Sequence, residues 1–72
     1  MRIEPDMVMG KPVVDPAGGN LGEIVDVGLY SHDRVKFLVV EDKSARVPIR
    51  RLMVDEIDDV SATTVRVRVR AG

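Results

Sequence analysis

Few residues in this chain are of a type that could support bond-making chemistry. His32 and Asp33 form the one histidine–carboxylate neighbour pair, and general acid–base catalysis would need such a pair beside a substrate pocket. Ser31, Ser44 and Ser61 lie in predicted turns, and none occupies the Gly-x-Ser-x-Gly elbow of a nucleophilic hydrolase. Because neighbouring side chains in a short turn point apart into water, we expect no catalytic residue and no enzymatic activity.

Metal and cofactor patterns are also weak. Asp55, Glu56, Asp58 and Asp59 cluster late in the chain, but calcium sites arrange their oxygen ligands on a loop with glycine at its sharp turn. These acids belong to a predicted strand without glycine, and we interpret them as a solvated face. The glycine-rich residues 18–22 precede a strand pattern, whereas phosphate-binding loops precede a helix. The chain has no cysteine to bind zinc. We therefore predict no metal and no cofactor.

The strongest charge pattern is an arginine alternation near the C-terminus. Arg66, Arg68 and Arg70 project from one face of a predicted strand, and the valines between them project from the other. Arg50 and Arg51 are candidates to extend this partner-binding surface. It could dock an acidic protein or an RNA backbone, because the arginine fork binds carboxylates and phosphates. It could equally be a solvated face that discourages aggregation, or pair with the acids at 55–59.

Length and composition limit these alternatives. The chain has 72 residues, of which 44% are hydrophobic and 32% charged, and this is typical of one small globular domain. Its formal net charge of -1 and its two aromatic residues, Tyr30 and Phe37, make nucleic acid a disfavoured partner. No apolar run approaches the ~18 residues of a membrane span, and Glu4 and Asp6 are unlike a signal peptide. We expect a soluble cytoplasmic domain without a membrane span.

Valine-rich segments between turn residues predict an all-β fold. Strands are predicted within residues 8–15 and over residues 23–30, 35–40, 45–49, 55–60 and 64–70. A single helical turn is predicted over residues 50–53. In the second strand, alternation predicts that Val25, Val27 and Leu29 share one face, and Gly28 indicates a bulge.

The third predicted strand is the most apolar segment, and its continuous run indicates that both faces are covered. Leu38 and Val40 lie on the face opposite Phe37 and Val39. They are either a dimer interface or part of the core. A domain of this size buries only about 60% of its unfolded surface, and a single small core rarely supplies more than ~3–5 kcal/mol. We therefore expect a homodimer.

Several stretches, read in order, resemble the PRC-barrel family. Residues 10–15, Gly-Lys-Pro-Val-Val-Asp, are similar to its opening Gly-Lys-x-Val-x-Asp. Residues 21–27, Leu-Gly-Glu-Ile-Val-Asp-Val, are similar to its Leu-Gly-x-Val-x-Asp-Val, and residues 47–49 to its Val-Pro followed by an apolar residue. The resemblance covers residues 8–70, preceded by a lead-in over residues 1–7. The short connection between Val40 and Ala45 and the arginine alternation depart from the family pattern.

The resemblance implies a small six-stranded β-barrel without catalytic apparatus. Members occur in the photosynthetic reaction-centre H subunit, in a ribosome-maturation factor and as archaeal adaptors in cell division, and their shared role is protein contact. By analogy we expect a non-enzymatic, homodimeric adaptor that docks onto a larger protein assembly, such as cell-division or membrane-associated machinery. An RNA- or ribosome-associated accessory factor is the alternative.

Overall fold

The valine-rich segments form six short strands that are separated by turns. A computed structural model describes residues 2–68, so Val69 and Arg70 lie outside the described residues. The strands are β1 (Pro12–Val14), β2 (Asn20–Leu29), β3 (Val35–Glu41), β4 (Ile49–Met53), β5 (Ile57–Val60) and β6 (Val65–Val67). Single 3-10 turns occupy Pro5–Met7 and Val54–Glu56. No helix in the described part of the chain is long and apolar enough to cross a membrane.

All six strands belong to one mixed sheet. Their order across the sheet is β4-β3-β2-β1-β6-β5. Neighbouring strands are antiparallel, except that β1 and β6 run parallel. The edge strands β4 and β5 are not paired with each other, so hydrogen bonds do not close the sheet. The prediction of an all-β fold with six strands is therefore confirmed.

The fourth strand is displaced from its predicted position. Residues 45–49 were expected to form it, but the strand is Ile49–Met53, and the helical turn predicted at 50–53 lies at Val54–Glu56 instead. The reason is a longer turn after β3, in which the Asp42 carboxylate accepts hydrogen bonds from the backbone N–H and the hydroxyl of Ser44, at 3.0 and 2.7 Å. Such a side-chain-stabilised turn competes with strand pairing and delays the start of β4.

Among residues 2–68, the buried side chains of the core are all aliphatic. They are Ile3, Val8, Val13, Ile24, Val35, Leu38, Val40, Ile57, Val65 and Val67. The backbone N–H of Val35 donates a hydrogen bond to the carbonyl of Ile3 at 3.0 Å, which fixes the N-terminal segment against the start of β3. The residues assigned to a lead-in therefore contribute Ile3 to the same core as the strands.

The strand β3 presents one buried and one half-buried face. Leu38 and Val40 are 0% and 2% exposed, so the core interpretation of these two residues holds. They are not available to contact another subunit in this fold, and their assignment to a dimer interface is corrected. The half-buried residues Phe37 and Val39 lie on the opposite face.

The pairing of β2 with β3 is interrupted by a bulge at Val25. Ile24 lies opposite Val40, and Asp26 lies opposite Val39, so Val25 is an extra residue on β2. One extra residue inverts the alternation of side chains along a strand. Ile24 and Val27 therefore both pack on the core, and the prediction that Val25 and Val27 share a face is wrong.

Two leucines of equal size test this assignment of the core. Leu38→Ala removes a fully buried side chain and is expected to cost about 2–5 kcal/mol of unfolding free energy. Leu29→Ala is the matched control, because Leu29 is 45% exposed, and should change it by no more than about 0.5 kcal/mol. Urea unfolding monitored by circular dichroism measures both. Equal losses would contradict the placement of Leu38.

Candidate functional site

The side of β2, β3 and β4 that points away from the core is defined by their pairing. Phe37 lies between Gly28 and Met53, and Val39 lies between Asp26 and Arg51. Because directly opposite residues of an antiparallel pair project to the same face, these residues form one surface with the next row along the strands. We call this surface the outer face, and its members are Glu23, Asp26, Gly28, Phe37, Val39, Glu41, Ile49, Arg51 and Met53.

Apolar side chains occupy adjoining positions of the outer face. Ile49 is 46% exposed and Met53 is 36% exposed, while Phe37 and Val39 are half-buried. Val47, in the turn before β4, is more exposed still. Single exposed apolar residues are ordinary, whereas a contiguous apolar group is typical of an interaction surface. The second cover that the apolar run of β3 predicts is therefore absent from the described part of this chain, and the outer face is open.

The Phe37 ring has a defined position on the outer face. A Cβ atom built on Gly28 would lie 2.1 Å from Cζ of Phe37, so the ring occupies the space that any larger residue at position 28 would need. The guanidinium carbon of Arg51 lies 5.1 Å from the centre of the same ring, within the range of a cation–π contact. A second irregularity of the β2–β3 pairing follows Gly28, which pairs with Phe37 while Leu29 pairs with Val35. The extra residue is therefore Lys36 on β3, so the bulge predicted at Gly28 lies on the neighbouring strand.

The predicted arginine surface is divided between two strands that are not neighbours in the sheet. Arg66 and Arg68 are exposed at β6, and Arg50 and Arg51 are exposed on β4, with β3, β2 and β1 between them. Arg70 lies outside the described residues. Nε of Arg66 is 3.3 Å from Oδ2 of Asp58, so this arginine pairs with an acid of its own chain.

The Arg66–Asp58 pair is largely solvated. The two side chains are 49% and 47% exposed, so the pair contributes no more than about 1 kcal/mol. Val65 and Val67 are buried beside it, which confirms the predicted alternation over the described part of β6.

A cluster of cationic and aromatic side chains lies on the β2–β3 hairpin. The rings of Tyr30 and His32 stack with their centroids 5.9 Å apart. The guanidinium carbon of Arg34 and the ammonium nitrogen of Lys36 lie 5.5 and 5.8 Å from the centre of the Tyr30 ring. The sequence analysis missed this cluster, although the spacing of two residues between its members was the available signal. His32 therefore contacts Tyr30, and the described residues show no hydrogen bond between it and Asp33.

A polar cleft lies between the start of β2 and the turn after β3. Its volume is about 630 Å³, and its acidic lining residues are Glu23, Glu41 and Asp42. Gly22 has a φ of 128°, and a Cβ there would lie 2.5 Å from the carbonyl oxygen of Glu41, so only glycine fits this close approach. Across residues 2–68, no group of three or more acids, histidines or cysteines is placed to hold a metal ion.

The hydrogen bonds of Ser44 act on the charge of the cleft. The side-chain hydrogen bond from the Ser44 hydroxyl, followed by the backbone N–H of Ser44, lowers the pKa of Asp42 because both donors favour the ionised carboxylate. Since the pKa of Asp42 is lower in the folded chain, these bonds stabilise the fold at pH values above the pKa that Asp42 has in the unfolded chain. Their contribution is lost as the pH falls through the folded pKa.

Comparison with known proteins adds no relative. No protein-family model matches the sequence, and a search of curated proteins finds no match. The resemblance to the PRC-barrel family is therefore a resemblance of the residues quoted above.

The titration of Asp42 tests the geometry of the turn after β3. Ser44→Ala removes the hydroxyl donor, and the pKa of Asp42 is expected to rise towards its ordinary value of 3.8. Carbon-detected NMR of the Asp42 carboxyl measures the shift. Ser31→Ala, a matched change in another hairpin, should leave the pKa of Asp42 unchanged. An unaltered Asp42 pKa in Ser44→Ala would contradict the hydrogen bond.

Proposed function

We propose that this chain is a non-enzymatic interaction module with a PRC-barrel-like fold. It acts as a cytoplasmic, homodimeric adaptor that docks onto a larger protein assembly, such as cell-division or membrane-associated machinery. The single observation that carries the proposal is the outer face, where Phe37 and Val39 are half-buried and Ile49 and Met53 are exposed. The six-stranded sheet and the resemblance over residues 10–15, 21–27 and 47–49 support the family relation.

Burial of the outer face would supply what the small aliphatic core lacks. Each Å² of apolar surface removed from water contributes roughly 25 cal/mol, and aromatic residues give the largest areas. Phe37 is the only phenylalanine of the chain, and it lies outside the core on this face. A dimer that covers Phe37 therefore adds the most effective apolar side chain to the buried surface.

The remaining cationic surfaces are available for a second, acidic protein partner. Arg68 and Arg50 are exposed, and they lie away from the row that contains Phe37. Charged groups at the rim of an interface set orientation and association rate rather than most of the affinity. In this proposal the outer face holds two copies together, and the arginines orient the dimer on the assembly.

Light scattering across a dilution series tests the homodimer. We expect a mass of twice 7.9 kDa that persists on dilution. Ile49→Asp places a charge on the outer face and should shift the protein to the monomer. Leu29→Asp is the matched control, since Leu29 is exposed to the same degree but lies opposite the core residue Val35, and it should remain dimeric. A monomeric wild type would overturn the homodimer.

An RNA- or ribosome-associated accessory factor is a second candidate, and the hairpin cluster favours it. Tyr30 with His32, Arg34 and Lys36 combines an aromatic ring with cations, as single-stranded RNA sites do. The overall charge of -1 argues against it.

Filter binding of a mixed-sequence single-stranded RNA, titrated with salt, tests this second function. An RNA-binding protein should lose affinity steeply as salt rises, and a double Arg34→Ala, Lys36→Ala variant should flatten that slope. The double Arg66→Ala, Arg68→Ala variant is the control with the same loss of charge. Absence of binding at low salt would remove the candidate.

A further inference from the structure

We infer that the second copy packs on the outer face about a two-fold axis that runs parallel to β3 through Val39, so that Asp26 of each subunit meets Arg51 of its partner. This inference rests on the proposed homodimer and names its geometry. It is carried by the arrangement of charge across the outer face.

The central row of the outer face is Asp26–Val39–Arg51. Asp26 and Arg51 are the direct cross-strand neighbours of Val39 on its two sides. With strands about 4.8 Å apart, the acid and the base flank Val39 at equal distances, roughly 10 Å from each other. From β2 to β4, the row therefore carries a negative, an apolar and a positive side chain.

A two-fold axis lying in the interface along β3 exchanges the two sides of this row. Val39 then meets its own copy, and each Asp26 faces an Arg51 across the interface. The other in-plane axis, perpendicular to the strands, would place Asp26 on Asp26 and Arg51 on Arg51, and like charges oppose association. Charge therefore selects the axis parallel to β3 among the two aligned face-to-face arrangements.

The neighbouring row, Gly28–Phe37–Met53, is compatible with the same axis. The Phe37 ring covers Gly28, so the axis brings Met53 of one copy over the edge of this ring in the other. A flexible thioether packs well there, because sulfur–aromatic contact is favourable. The axis selected by charge therefore also gives Met53 an aromatic neighbour.

The two charged groups are positioned for this contact. The Arg51 guanidinium is held over Phe37, which reduces the side-chain entropy lost on binding. One carboxylate oxygen of Asp26 accepts a hydrogen bond from the backbone N–H of Val27 at 2.8 Å, which leaves its second oxygen for a partner. In the described residues, neither side chain forms an ion pair within its own chain. In the third row, Glu23–Glu41–Ile49, the axis places Glu41 on its own copy and Glu23 on Ile49 of the partner subunit. This row opposes association by one like-charge contact, which screening by salt weakens, against two Asp26–Arg51 contacts that favour it.

Charge reversal tests the pairing. Asp26→Arg alone places two arginines against each other, and Arg51→Asp alone places two aspartates against each other. Each single variant is expected to weaken self-association about tenfold or more, as measured by sedimentation equilibrium. When the two variants are mixed, both contacts join opposite charges, and the mixture should recover a mass of twice 7.9 kDa. Arg66→Asp, the same charge change away from the outer face, is the control and should stay dimeric.

The outcomes separate this inference from the proposed function. A monomeric wild type overturns the homodimer and the pairing together. A dimeric wild type whose single variants remain dimeric, or whose variants do not recover on mixing, overturns the pairing and leaves the homodimer standing. If charge reversal unfolds the chain, Asp26→Asn and Arg51→Gln replace it. If Asp26 pairs with Arg51 across the interface, the double Asp26→Asn, Arg51→Gln variant should weaken association no more than either single variant.

Discussion

The rest of this structure depends on one constraint, which is how the bulge at Val25 assigns the side chains of β2 to the two faces of the sheet. Side chains alternate with a period of two, so the single extra residue at Val25 decides which side chains enter the core. It places Ile24 and Val27 inside and turns Asp26 outwards, opposite Val39. Without the bulge, one of the two apolar residues would face solvent. The core and the charged row of the outer face are therefore set by one and the same residue.

The outer face resembles the inner face more than is usual for a half-solvated sheet. An antiparallel sheet that is wet on one side alternates apolar and polar residues, as Val65 and Arg66 do in β6. The strand β3 instead carries Phe37 and Val39 outside and Leu38 and Val40 inside. The contrast between the two strands is the reason that the contact between copies is proposed on β3, where residues 2–68 supply no cover.

The buried face of a strand could be predicted from the sequence where the two faces differ in polarity. Alternation with arginine correctly places Val65 and Val67 inside. It was insufficient in β3, because a period of two separates Leu38 from Phe37 but does not tell which of two apolar faces is inner. The start of β4 was missed because a local side-chain turn at Asp42 competes with pairing. The contact of Arg51 with Phe37 depends on which strands are neighbours, which no local pattern encodes, whereas the contacts of Tyr30 lie within one hairpin and had a local signal.

Gly28 has a consequence for how this chain could vary without losing its fold. Residue 28 contributes nothing to the core, yet it decides where the Phe37 ring rests, and that ring in turn supports Arg51. A methyl group added at this position would tilt the ring and unseat the guanidinium while the aliphatic interior stays intact. Position 28 is thus a point at which the outer face can change while the core stays the same, and the change needs no more than one carbon atom.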